Sequence, residues 1–181
     1  MTSLYKQFIV QAQPYIKGSD RTGITGPHER HLMTDTITTQ DHDFQTTLEL
    51  TANPETVFEV LSTTSGVSSW WAPATGSGTA GGDLDFVFGE HLVRFHVANA
   101  DHPTRVRWHT ASCDVMPDWV GTTIAFDLSP SEIGGTIMHF RHAGHVPQLD
   151  CYEQCSHDWG HFLHASLVSY LQTGTGHPVG S

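Results

Sequence analysis

An α+β fold, with an antiparallel sheet of about six strands curved around one long C-terminal helix and a short helical segment after the first strand, follows from three features. Closely spaced stretches of period-two alternation run from Asp43 to Ala143. An N-cap signature, Asn53-Pro54, interrupts them near the start. The stretch from Cys151 to Pro178 is the longest run without internal proline that keeps a helical apolar period, and Gly174 and Pro178 give it a stop.

The elements follow in order. Phe44, Thr46, Leu48 and Leu50 alternate with Gln45, Thr47 and Glu49, a half-buried first strand. Val57, Val60 and Leu61 make the apolar stripe of a short helix, and a second helical turn runs from Gly66 to Trp70. The Gly/Ser/Thr-rich stretch from Thr75 to Gly82 reads as a loop. Three strands follow, with inward sets Leu84, Phe86, Phe88; Val93, Phe95, Val97; and Val106, Trp108, Thr110. Turns at Gly89-Glu90 and Asp101-His102-Pro103 make them a meander. A loop carrying Cys113, Pro117 and Trp119 precedes two more strands, with inward Ile124, Phe126, Leu128 and then Met138, Phe140. Winding the last segment at about 100° per residue puts Cys155, Trp159, Phe162, Leu163, Ser166 and Tyr170 on one face and His157, His161, His164 and Val168 on the other.

Composition bounds the function. The chain has 181 residues, enough for one domain with a substantial core. Residues 1–40 show no sustained period, and the opening TSLYK resembles translated cloning linker; they read as a disordered leader or vector-derived tail, with Met33 as a candidate start. Residues 41–181 form the single domain. From Met33 onward there are four arginines, no lysine and 17 acidic residues, a formal charge of −13. So acidic a surface repels phosphate backbones and anionic lipid, which speaks against nucleic-acid or membrane binding. Three cysteines, an odd number in a chain too large to need staples, favour a reducing compartment, and with no secretory or membrane-spanning run the expected location is cytoplasmic.

Several separated motifs in this order carry a resemblance: Asn53-Pro54-Glu55-Thr56-Val57-Phe58, Trp70-Trp71-Ala72-Pro73, Asp118-Trp119-Val120-Gly121-Thr122, Phe140-x-His142-x-Gly144, and W-x-x-F-L-x-x-S-L-x-x-Y-L-x-T-G-x-G-x-P from Trp159 to Pro178. Over residues 43–178 the chain resembles START-like helix-grip (SRPBCC) proteins, and among them bacterial members similar to the C-terminal domain of the activator of the ninety-kilodalton heat-shock ATPase. The resemblance implies a ligand space between sheet and helix. It spans lipid carriers, polyketide cyclases and aromatases, and enediyne-cluster proteins of antibiotic self-resistance. The leading expectation is non-catalytic binding of a hydrophobic, polycyclic or polyketide-like small molecule. A cyclase or aromatase acting on a carrier-bound polyketide is the alternative, and a chaperone-activator-like interaction module the third; a monomer or weak homodimer is expected.

The candidate binding residues are Trp71, Phe86, Phe88, Phe95, Trp108, Phe126, Met138, Phe140, Cys155, Trp159 and Phe162, the inward aromatics with their sulfur neighbours. His142, continuing the inward parity of Met138 and Phe140, is the one titratable group placed near the cavity mouth, and so the one weak candidate for general acid/base work. The spacing of His157, His161 and His164 can gather imidazoles around a metal, but on the face opposite Trp159 and Phe162 it reads as a solvated stripe. Cys151 and Cys155 read as small buried core residues. No metal and no cofactor are therefore assigned, and no nucleophile elbow or phosphate loop is present.

Twelve of the 14 histidines lie from Met33 onward, so protonating them near pH 6 cancels much of the −13 charge. Solubility is expected to fall on mild acidification, measurable as light scattering between pH 7.5 and about pH 5.5.

Overall fold

In the computed structural model the described residues are 43–132 and 134–180. The sequence-based assignment of residues 1–40 to a leader or tail lies outside them. Seven strands, β1 (Phe44–Leu50), β2 (Ala74–Gly76), β3 (Asp83–Phe88), β4 (His91–Asp101), β5 (Arg105–Cys113), β6 (Thr123–Pro130) and β7 (Thr136–Ala143), form one sheet. Its order is β1-β7-β6-β5-β4-β3-β2, and every neighbouring pair is antiparallel. All hairpins are thus sequential except the β1–β7 pairing, which brings the first strand beside the last. The seventh strand is the short β2, inside the stretch read from sequence as a loop. Three residues too short and too polar to alternate pair with Leu84–Phe86 only because β3 supplies the ladder.

Helix α1 (Pro54–Ser62) starts where Asn53 Oδ1 accepts the Thr56 amide at 2.8 Å. Helix α2 (Thr64–Trp70) is capped by Thr63, whose Oγ1 accepts the Gly66 amide at 3.1 Å. The C-terminal helix runs as α3 (Tyr152–His161), a π-helical segment (Phe162–Leu167) and α4 (Val168–Thr173), and ends on Gly174 at φ 76°, a left-handed cap that favours glycine. The inward alternation is observed in every long strand: Leu84, Phe86, Phe88, Val93, Phe95, Val97, Val106, Trp108, Ile124, Phe126, Leu128, Met138 and Phe140 are all buried. The helical wheel holds through Trp159, Leu163 and Ser166, all buried, and is displaced after them. Each i→i+5 closure of the π segment contains one residue more than an α turn, so the apolar face drifts. Ser166 and Leu167 are consecutively buried, and Val168, assigned to the polar back, packs against the core.

One buried hydroxyl fastens this helix to the end of α2 and to the C-terminal tail. Ser166 Oγ donates to the Trp70 carbonyl at 2.6 Å and accepts the His177 amide at 2.6 Å. The tail also donates from the Val179 amide to the Trp71 carbonyl at 2.7 Å. Gly176 is required at this junction, since a Cβ there would collide with the Ser69 carbonyl oxygen. Ser166→Ala leaves a buried carbonyl and a part-buried amide without partners, so unfolding free energy in urea is expected to drop by about 2 kcal/mol.

Candidate functional site

The space between sheet and C-terminal helix is where the sequence predicts a ligand, and aromatic rings occupy it. Trp71, at the end of α2, lies centrally, with its ring centroid 4.4 Å from Phe86, 4.9 Å from Trp159, 5.8 Å from Phe95 and 6.1 Å from Phe88. It stacks on Trp108 at 5.9 Å with planes 3° apart. Trp108 meets Phe126 at 5.1 Å, Phe126 meets Phe140 at 5.2 Å, and Phe140 returns to Trp159 at 4.8 Å. The predicted aromatics other than Phe162 therefore form one continuous buried cluster, with Met138 and Cys155 buried at its margins. Phe162 is half-buried and edge-on to His161 at 5.4 Å. At contact distances these rings close the chamber in this conformation. A shallow cleft of about 20 Å³, room for about one water, lies at the rim between Glu49, Leu50, Thr51, Val168, Leu171 and Gln172.

His142 is not at a mouth but deep inside, fully buried. The Trp159 indole N–H donates to its Nδ1 at 3.1 Å, which makes Nδ1 the acceptor and places the ring proton on Nε2. Nε2–H then donates to Thr122 Oγ1 at 2.9 Å, and Thr122 donates onward to the Trp119 carbonyl at 2.6 Å. Thr110 Oγ1 joins at 3.1 Å from Thr122 Oγ1. This chain satisfies both ring nitrogens in the neutral state. Burial, and secondarily the charge His145 would carry, lowers the His142 pKa to about 3.

Beside it lies a group the sequence reading did not assemble. The His145 amide bonds the His142 carbonyl at 3.1 Å in a turn through Gly144. The two imidazoles stack at 4.9 Å, and Tyr152 stacks on the far side of His145 at 4.9 Å. Trp119 stands edge-on to His142 at 4.7 Å. Cys151 and Cys155 are buried against this set, with Cys155 Sγ 3.4 Å from Met116 Sδ. The available signal was His142-Ala-Gly-His145, a glycine turn that returns one histidine onto another, but ring stacking is not readable from spacing.

Among the described residues, three buried indole nitrogens, Trp70 Nε1, Trp108 Nε1 and Trp119 Nε1, have no well-directed hydrogen-bond acceptor, and His145 Nδ1 has no partner. Trp70 and Trp119 were absent from the predicted set. The histidine stripe remains exposed, although His164 Nε2 reaches Thr46 Oγ1 at 3.1 Å. Among the described residues no group of three or more His, Cys, Asp or Glu side chains is placed to hold a metal ion, and no helix is long and apolar enough to cross a membrane.

Because the folded-state pKa of His142 is depressed, the unfolded chain binds more protons as pH falls from about 6.5 towards 3. Stability contributed by this group is therefore complete above pH 6.5 and lost as pH falls through that window. Between pH 7 and pH 5 wild type should lose about 2 kcal/mol more unfolding free energy in urea than His142→Gln.

The comparisons with known proteins agree with this architecture. The Aha1 dimer of Colwellia psychrerythraea is 28% identical over 74% of this chain and 98% of that one, with a TM-score of 0.66. DynU16, a protein of the dynemicin biosynthetic locus, is 19% identical over 76% of this chain and 49% of that one, with a TM-score of 0.60. An Hsp90 activator from Plasmodium falciparum is 17% identical over 74% of this chain and 97% of that one, with a TM-score of 0.57. No curated protein sequence matches significantly. The family profile described as Activator of Hsp90 ATPase homolog 1-like protein matches residues 51–172, and on that match the chain belongs to this family of the SRPBCC superfamily.

Proposed function

We propose that the domain binds a flat, hydrophobic, oxygen-bearing small molecule of polyketide type between the sheet and the C-terminal helix, without transforming it. The observation that carries this reading is the set of buried indole N–H groups of Trp70, Trp108 and Trp119 that lack a well-directed acceptor among the described residues. A buried donor without a partner costs about 1–3 kcal/mol, and ring ketone or phenolic oxygens supply the missing acceptors. Aromatic planes already stacked on one another offer the matching faces.

Access requires the helix to move. The π segment, a feature that often marks functional sites, lies midway along it, and α4 beyond contains no buried residue. The rim cleft between β1 and α4 marks that weakly held side. Binding is favoured over cyclase chemistry because His142, the candidate acid/base, has both nitrogens engaged. The occurrence of DynU16 in a biosynthetic locus is consistent with a polyketide-like ligand, and sequestration or self-resistance is the role such binding would serve. The chaperone-activator reading has the relatives' names behind it, but the −13 charge from Met33 onward provides no basic docking patch. Self-association is proposed to be weak or absent, with the Colwellia dimer as the precedent for a homodimer.

Titration with anthraquinone- and naphthacene-type polyketides, read by quenching of the five tryptophans, should give saturable binding. At 100 times Kd the ligand should add about 2.7 kcal/mol of stability. Absence of both quenching and thermal shift across such a panel refutes the reading.

A further inference from the structure

The N-terminal turn of the C-terminal helix holds chemistry that ligand binding does not use. Cys151 is the N-cap of α3, and no side chain caps this end. Its carbonyl accepts the Cys155 amide at 2.8 Å, which closes one turn and sets the two thiols on the same face. Side chains four apart in a helix have Cβ atoms about 5–6 Å apart, whereas a disulfide spans about 3.5–4.5 Å. Joining them needs a local shift of about 1–2 Å. Cys151 sits where that is possible: it precedes the regular helix, and the chain leading to it is held by turn bonds, Leu149 amide to Val146 carbonyl and Tyr152 amide to Leu149 carbonyl, each 3.0 Å.

The surroundings suit sulfur anion chemistry. His145, with its Nδ1 unpartnered and its ring fully buried, and the Trp119 indole N–H, also without a well-directed acceptor, both border Cys151. The Met116 thioether lies beside Cys155. We propose that Cys151 and Cys155 form a reversible thiol–disulfide pair oxidised by hydrogen peroxide, with Cys151 as the attacking sulfur and Cys155 as the resolving one.

The Cys151 thiolate attacks one peroxide oxygen, the O–O bond breaks, and Cys151 sulfenic acid and hydroxide result; the hydroxide takes up the proton the thiol had released, giving water. The Cys155 sulfur, losing its proton, then displaces hydroxide from Cys151 sulfur as a second water and completes the disulfide. Each disulfide consumes one peroxide, and a dithiol reverses it. The order of attack follows the local electrostatics. The neighbouring Cys155 thiol first, and then His145, hold Cys151 well below the usual thiol range despite burial. The neighbouring Cys151, together with burial, pushes Cys155 up. Both thiols are nearly covered in the closed helix, so reaction proceeds through fraying of the uncapped turn.

No lysine or arginine follows Arg141, so trypsin releases both cysteines on the peptide His142–Ser181 and Cys113 on Trp108–Arg141. After peroxide treatment of the folded full chain and alkylation, His142–Ser181 should be about 2 Da lighter and unalkylated, with Cys113 alkylated; dithiothreitol should restore both alkylation sites. Cys155→Ser should stop at a Cys151 sulfenic acid that dimedone captures, and Cys151→Ser should give neither product. A disulfide joining the two peptides, dimedone capture at Cys155 in Cys151→Ser, or full alkylation of wild-type Cys151 and Cys155 after methionine oxidation has begun would overturn the proposal. The wild-type peptide mass decides the matter even if a variant does not fold.

Discussion

The hydrogen bond from the Trp159 indole to His142 Nδ1 couples the two halves of this molecule. Trp159 is on the helix and His142 on β7, and the bond crosses a largely apolar interior. Breaking it strands a donor and an acceptor in a low-dielectric space, so this directional contact fixes the helix where the surrounding aromatic packing is non-directional. The onward bonds through Thr122 to the Trp119 carbonyl extend that constraint to the 3₁₀ turn Pro117–Trp119, which in turn sets the Trp119 ring parallel to Trp159 at 6.0 Å. The histidine's depressed pKa is the electrostatic counterpart of the same burial.

Around this contact the interior is well filled but incompletely paired. The apolar rings satisfy one another by stacking, and the strand backbones are paired in the sheet. Among the described residues the indole nitrogens of Trp70, Trp108 and Trp119, with His145 Nδ1, are the exceptions. Native proteins seldom leave such donors buried without cause. The π segment, the Ser166 junction and the uncapped Cys151 end are the places where the C-terminal helix departs from regular α geometry or is fastened to its neighbours.

The family assignment and the site reach different depths. The match over residues 51–172 and the fold of the neighbours establish the family and the architecture. Neighbours under 20% identity share the fold, and their chemistry is their own. What this chain adds is specific to its own residues: a neutral histidine bonded at both ring nitrogens, and two thiols placed against a second histidine.

Sequence alone determined the strand parity from Phe44 to Phe140, the cap at Asn53, the stop at Gly174 and the helix face through Ser166. Each of these depends on neighbours a few residues away, through pleat, cap geometry or the α-helical period. Tertiary structure decided the rest. β2 exists because β3 offers it a ladder, and the π segment rotates Val168 inward against the 100° wheel. His142 moved from an expected mouth to the centre because parity fixes which face a side chain takes, not how much packs above it. The His145, Trp119 and Cys151 group unites a turn, a 3₁₀ segment and a helix end separated by up to 32 residues, and no local period records a contact between such partners.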